Sequence, residues 1–395
     1  MFATEYLKKN NRTALIHSAP DPEVSIIVVI PCFREPGILA TLESLVNCSL
    51  PECHTEVIIV VNHPENASPD TKEFNQHTKQ EIDDWIKFNS KKELCFYAIG
   101  PVELRKKWAG AGLARKTGMD EAVLRFNQTG KKSGIIISLD ADTLVEKNYF
   151  TEIEKHLFNH PSHVGATISF EHQKNGLERK HLEGILLYEQ YLHYYKNALE
   201  FTGYPNSMFT IGSAFAVIAE AYVKRGGMNR RQAGEDFYFL QNLAQIGTIG
   251  EITTTCVYPS ARLSDRVPFG TGPVLQKWID GEEDLNKTYN FDAFIDLKVL
   301  FDNRGYYFRK GNDQFDSISE FLPKSVKDFM EADNFIVEIE DLNKNCSNLK
   351  SFNNRFFQKF NAFKILKFLN FTHAKYYSMA DLHEQIEKLK EKTNE

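Results

Sequence analysis

The feature that most constrains this chain is a set of near-continuous Val/Ile stretches, VSIIVVI (24–30), EVIIVV (56–61) and GIIISL (134–139), with a shorter one at Leu94–Ala98. A strand with one wet face alternates apolar and polar residues, whereas a strand that is apolar throughout must be covered on both sides. Between the stretches lie Gly37–Val46, Thr71–Phe88 and Gly112–Phe126, each with apolar residues at helical spacing. The alternation predicts an α/β fold built on a mostly parallel sheet flanked by helices. In such sheets ligands bind outside the carboxyl ends of the strands.

A second block follows. Val164–Phe170 reads as a strand, Leu182–Glu200 as a long aromatic helix, and Phe215–Ile218 as a short strand leading into a helix that stops at Gly226-Gly227. A helix starting near Glu235 and ending at Gly247, then a strand over Ile249–Val257, complete it. From about 275 the pattern changes to helical pieces rich in Phe, Asn and Lys. A chain of 395 residues is long for one core. The expected units are an N-terminal extension (1–23), a sheet-bearing domain (24–274) and a helical C-terminal extension (275–395).

Charge and hydropathy narrow the function classes. A formal net charge of -6 argues against a general nucleic-acid binder, which needs a basic excess. No apolar run approaches the roughly 20 residues that span a bilayer. The first 20 residues lack the apolar core of a signal peptide, so a cytoplasmic protein is expected. Cys32, Cys48, Cys53, Cys95, Cys256 and Cys346 form no C-x-x-C pair and read as free thiols. The sequons at Asn66 and Asn127 are then expected to carry no glycan.

Four segments carry candidate chemistry. ISLDADTLV (137–145) ends an apolar run in Asp140 and Asp142. Two like charges about 5 Å apart repel by about 3 kcal/mol at an effective dielectric near 20, so the pair needs a reason. Capping of the next helix is one. A seat for a divalent cation bridging a diphosphate is the other. IPCFREPG (30–37) follows the first strand, where Pro31 and Pro36-Gly37 are expected to stop it. It reads either as a strand–loop–helix junction or as a nucleotide-binding loop presenting Glu35. In KWAGAGLARKTGMDEA (107–122), small residues open a helix that carries Arg115 and Lys116 in its second turn. Helix N-terminal amides beside cations suit a phosphate, and a solvated basic turn is the plainer reading. In RQAGEDFYFLQNLAQIG (231–247), Glu235 and Asp236 begin a helix, as dipole-complementing acids or as a general base.

Taken in order, IPCFRE, ARKTG, LDADT, GSAFAVIAEAYVKRGGM and GEDFYFLQNLAQIG resemble the GT-A-fold glycosyltransferases of family 2, over residues about 24–260. The resemblance implies the GT-A fold and an enzyme that moves a sugar from a nucleotide-diphospho-sugar to an acceptor hydroxyl, with inversion at the anomeric carbon. It implies Mn²⁺ or Mg²⁺ at Asp142, with Asp140 beside it on the ribose or the metal. Donor contacts fall on Pro31, Cys32, Glu35 and Arg115, the base role on Asp236 of the Glu235–Asp236 pair, and the acceptor wall on Gly212 and Ser213. The acceptor is a glycan, a lipid-linked molecule or a small molecule.

The chain departs from the family pattern in three places. VVNHPENAS (60–68) has Asn62 where the family usually has the first acid of a nucleotide-gripping pair, and an amide can still hydrogen-bond a base edge. The Q-x-x-R-W motif of processive polymerases is absent, so no polysaccharide synthase is expected. No His lies between Asp236 and His373 to serve as an extra metal ligand.

Two further segments remain open. SARLSDRVPFGTG (260–272) brings Arg262 and Arg266 to a Gly-rich turn, as a lid over the diphosphate or as a plain connection. FNNRFFQKFNAFKILKFLNFTHAKYY (352–377) interleaves Phe at helical spacing with basic residues and no acid. It reads as a stripe docked on its own protein, or as a peripheral membrane contact at the inner face suited to a lipid-linked acceptor. Two other classes stay in play: a nucleotidyltransferase on a similar fold, and a non-catalytic sugar-nucleotide-binding protein.

Overall fold

Apolar strands covered on both faces dominate the computed structural model, which describes residues 1–231, 234–264, 270–310 and 320–394. The strands are β1 (Val24–Cys32), β2 (His54–Pro64), β3 (Leu94–Leu104), β4 (Ile135–Ser138), β5 (Leu144–Val145), β6 (His163–Phe170), β7 (Phe215–Ile218) and β8 (Thr248–Tyr258). They form one mixed sheet in the order β3-β2-β1-β4-β7-β6-β8-β5. The half built from β3, β2, β1 and β4 is parallel, as the Val/Ile runs require. β7 enters antiparallel between β4 and β6, and β5 closes the far edge antiparallel to β8.

The packing divides the chain into two compact units. The first comprises residues 1–177 and 210–276 and holds the whole eight-stranded sheet. Its helices are α1 (Thr4–Lys9), α2 (Ile38–Val46), α3 (Pro69–Asn89), α4 (Ala111–Thr129), α5 (Tyr149–Asn159), α7 (Ala219–Lys224) and α8 (Glu235–Leu243). The second unit comprises residues 178–209 and 277–395, so the long helix α6 (Arg179–Phe201) belongs with the C-terminal helices.

β1 does not stop at Pro31. It continues to Cys32, with Pro31 opposite Val60 and Cys32 opposite Val61 of β2. The ladder to β4 ends at Val29–Ser138. Beyond Val29 the strand has a ladder on one side only, which is where a residue without an N–H is tolerated.

α4 is the element on which the first unit is assembled. A Cβ on Gly118 would sit 2.4 Å from Val29 Cγ1 and 3.0 Å from Val60 Cγ2, so the missing side chain lets the helix lie against β1 and β2. Its other sides are covered too, and Arg115, Lys116, Asp120, Glu121 and Arg125 are all buried. Buried charges must be paired. Arg125 grips Glu56 of β2 through Nε–Oε2 (2.5 Å) and Nη2–Oε1 (2.6 Å). Asp120 receives the Tyr6 hydroxyl (2.6 Å), the Tyr222 hydroxyl (2.8 Å) and Arg12 (2.5 Å). The N-terminal segment is thus sewn to α4, with Leu15 and Ile16 amides also donating to Glu121 at 3.0 and 3.1 Å.

The second unit accounts for the Phe-rich tail. It forms two helices, Leu349–Lys359 and Ala362–Lys375, separated by Asn361, whose side chain caps the second by accepting from the amides of Phe363 and Lys364. Phe352, Phe356, Phe360, Ile365, Phe368 and Leu369 are fully buried. Phe356 lies 5.5 Å from Phe335 and 6.3 Å from Phe301, ring centre to ring centre. Lys359 pairs with Asp341 at 3.0 Å, and Lys364 pairs with Glu338 at 2.6 Å and also with Asp333. The stripe expected as a candidate membrane face is therefore the core of this unit. Phe356→Ala should cost about 3–5 kcal/mol in denaturant unfolding. Lys367→Ala, at an exposed position, should change stability by less than about 0.5 kcal/mol.

Candidate active site

The carboxyl ends of β1, β2 and β4 gather the residues singled out in the sequence. After β1 the chain turns through Arg34, whose φ is +48°, and its amide donates to Asn75 Oδ1 at 3.0 Å. Asn75 in turn donates to the carbonyl of Asn62 at 2.8 Å. The Asn62 amide donates to the carbonyls of Cys32 (3.0 Å) and Val60 (3.1 Å). Asn62 is buried, and its NH₂ is engaged in tying the ends of β1 and β2 together. Cys32 is buried at the end of β1.

Glu35 is also buried rather than displayed. Its Oε1 accepts from the Gly37 amide at 2.9 Å, and both its oxygens meet the guanidinium of Arg262, Oε1 at 2.7 Å. The same guanidinium reaches Asp142 Oδ2 at 2.8 Å. Arg262 therefore bridges the loop after β1 to the loop after β4. Arg266 lies outside the described residues.

The loop after β4 is held by its backbone. Gln173 Nε2 donates to the Asp142 carbonyl (2.9 Å) and the Tyr258 carbonyl (2.7 Å), and Thr41 Oγ1 donates to the Ala141 carbonyl (3.0 Å). Both aspartate side chains keep partial access to solvent, Asp140 at 37% and Asp142 at 27%.

Asp140 is joined to the Glu235–Asp236 pair through Arg115. This arginine is 2% exposed; its Nη2 meets Asp140 Oδ1 at 2.5 Å and its Nη1 meets Glu235 Oε1. Two glycines make the approach possible. A Cβ on Gly112 would lie 2.3 Å from the Arg231 carbonyl and 3.0 Å from Glu235 Cβ, and one on Gly212 would lie 2.7 Å from Arg115 Nη2. Gly212 also accepts at its carbonyl from Ser138 Oγ at 2.6 Å, and Ser213 is fully buried. The Arg115 guanidinium, expected at the diphosphate, is buried and engaged with two carboxylates. Its neighbour Lys116 is likewise turned inward, to Asp120 and the Tyr6 hydroxyl.

The electrostatics follow from burial. Burial opposes the charge on Arg115, but Asp140 and Glu235 outweigh it and hold its pKa above the ordinary value. Glu235 is raised above the usual carboxylate range by burial, with Arg115 working against the rise. Asp236 is raised to about 7, first by burial and then by the charge of Glu235. Asp236 is nonetheless only partly covered, with Oδ1 accepting from the Phe237 amide at 2.7 Å. Gly234, at φ +68°, supplies the left-handed residue from which this helix starts.

Residues 27–226, half of the chain, match the family described as glycosyl transferase family 2. The chain belongs to glycosyl transferase family 2. It is therefore an enzyme, a glycosyltransferase, and its sheet is that of the GT-A fold. Among solved structures, residues 1–349 of TarS from S. aureus in complex with UDP-GlcNAc are similar at TM-score 0.44 and 12% identity, over 84% of this chain and 90% of that one. The mannosyltransferase PcManGT from Pyrobaculum calidifontis in complex with GDP-Man and Mn²⁺ gives 0.41 and 12%, over 95% and 94%. Glucosyl-3-phosphoglycerate synthase from Mycobacterium tuberculosis in complex with phosphoglyceric acid gives 0.35 and 13%, over 67% and 82%. No curated protein sequence matches this one. Among the described residues no helix is long and apolar enough to cross a membrane.

In this family 2 member the buried Arg115 carries a specific stability cost. Arg115→Met leaves Glu235 buried without its cation, and removing one partner of a buried pair costs about 3–5 kcal/mol. Chemical denaturation should show a loss of that size, and Arg115→Met with Glu235→Gln should recover part of it.

Proposed function

We propose that this enzyme transfers a glycosyl group from a nucleotide-diphospho-sugar to an acceptor hydroxyl, with inversion, using Asp236 as general base. The observation that carries the reading is that Arg115 joins Asp140, at the end of β4, to Glu235 beside Asp236, while Asp142, two residues on, pairs with Arg262. Arg115 thereby links a partly exposed carboxylate suited to a cation to the helix start that carries a carboxyl poised near neutral pH.

The donor set fits a hard divalent ion. Glu35, Asp140, Asp142, Glu235 and Asp236 bring five carboxylates against the two guanidinium groups of Arg115 and Arg262, an acidic surplus that would repel a bare diphosphate. Asp140 and Asp142 would hold Mn²⁺ or Mg²⁺, which supplies charge neutralisation for the departing diphosphate. Arg262 already carries positive charge to Asp142, and its 32% exposure leaves it able to turn to a phosphate.

Glu35 orients Arg262 from beneath. Arg115 does not touch the donor; it is a positioning residue that fixes Asp140 and Glu235. Asn62 acts the same way on the donor loop, holding Cys32 rather than offering its NH₂ to a base. Pro31 and Cys32, at the end of β1, form the floor of the nucleotide site, and Gly212 and Ser213 back the acceptor side. Asp236 accepts the proton of the acceptor hydroxyl. That oxygen forms its bond to the anomeric carbon as the bond to the diphosphate oxygen breaks, and the nucleoside diphosphate leaves with the electron pair. A base with a pKa near the working pH combines availability with driving force.

With purified enzyme and a panel of nucleotide sugars, nucleoside diphosphate release should be abolished by EDTA and restored by Mn²⁺ or Mg²⁺. Full activity in EDTA would sink the metal assignment. Asp236→Asn should lower kcat by about 10³-fold, within the range for loss of a general base, while donor affinity stays within a few-fold. Because Asp236 must be deprotonated to act, kcat/KM for the wild type should fall as pH drops through about 7. An acid limb near 4, or wild-type turnover in the Asn variant, would show that another group is the base.

A further inference from the structure

HLFNHPSH (156–163) places three histidines at spacings of four and three residues, outside everything described above. His156 lies in the last turn of α5, His160 is the residue that ends that helix, and His163 opens β6. One potential ligand atom from each falls within 4.8 Å of the other two. His156 Nε2 and His163 Nδ1 face one another at 3.2 Å. Two nitrogens on one tetrahedral zinc, with Zn–N near 2.0–2.1 Å, are separated by about 3.3 Å. His160 donates from Nδ1 to the His156 carbonyl at 2.8 Å, which fixes its tautomer and leaves Nε2 with a lone pair. An imidazole whose second nitrogen bonds a backbone carbonyl is the usual arrangement around a bound metal.

The backbone beneath has made room for this group. A Cβ on Gly250 of β8 would stand 2.3 Å from His156 Nε2 and 2.5 Å from His163 Nδ1. Any other residue at 250 would displace the facing nitrogens. His160 is exposed while His156 and His163 are half-buried, so the cluster opens to solvent on one side.

We propose that His156, His160 and His163 form a site for a borderline transition-metal ion, specifically Zn²⁺, separate from the carboxylates Asp140 and Asp142. Three imidazoles suit Zn²⁺ rather than the Mg²⁺ or Mn²⁺ that carboxylates select. Water completes the coordination on the exposed side. The ion cross-links the end of α5 to the first residue of β6, and so acts as a structural clip on the sheet-bearing unit.

The test is calorimetric titration of Zn²⁺ into the full chain carrying no polyhistidine tag, in an Asp142→Asn background that weakens the other metal candidate, Asp140 with Asp142. One equivalent should bind, and His160→Ala and His163→Ala should each weaken it by at least about tenfold. Co²⁺ in place of Zn²⁺ should give a visible absorption band that both variants lose. His160→Ala alters an exposed side chain, so the variant should fold, and in the otherwise native chain it should keep glycosyl transfer unchanged. Absence of binding in the Asp142→Asn chain, or an isotherm the same in both His variants, would overturn the site.

Discussion

A single buried guanidinium organises the sheet-bearing unit of this protein. Arg115 could not remain charged at 2% exposure without carboxylate partners, and the partners it takes are Asp140 at the end of β4 and Glu235 at the start of α8. The requirement runs in both directions. The glycines at 112 and 212 are there because Glu235 and Arg115 fill the space where their side chains would be. Arg262 does the corresponding work on the outer side, between Glu35 and Asp142, but with a third of its side chain in solvent. The inner arginine fixes geometry and the outer one can respond to a ligand.

Much of the fold was legible in the residues. The apolar runs marked the strands β1, β2 and β4 to within a few residues, because a parallel sheet covered on both faces leaves no alternative pattern for Val and Ile, but β3 runs on from Ala98 to Leu104. Helix stops were legible at Gly226-Gly227, and Asp140 and Glu235 do meet, on the guanidinium of Arg115. The continuation of β1 through Pro31 was not legible, since it depends on where the ladder to β4 stops. β5, two residues long, carries no periodicity at all, whereas α5 carries Tyr149, Phe150, Ile153 and Leu157 at helical spacing and was legible in principle. Partner choice was the main thing hidden. Nothing local marks Arg115 for two carboxylates; its burial, a tertiary property, places it between Asp140 and Glu235. Asn62 looked like a substitute for a ligand acid, and packing made it a tie between strands.

The Phe-rich tail illustrates the same limit from the other side. Aromatic residues at helical spacing with interleaved Lys and Arg fit a bilayer surface and a helical core equally well, because both are apolar on one face. What separates them is a set of acids distant in sequence. Asp333, Glu338 and Asp341 supply the charge that the tail itself lacks.

Asp236 carries a consequence that reaches beyond the reaction. Its pKa in the folded protein, about 7, lies above that of an ordinary aspartate in the unfolded chain, near 3.9. Below the unfolded value the group is protonated in both states and folding is not penalised. Between the two values the unfolded chain ionises while the folded protein holds the proton, so that share of stability is lost progressively until about 7, where the folded group ionises too. Above about 7 the penalty of this carboxyl is fully in place, so its charged form exists only where its own contribution to stability is already gone.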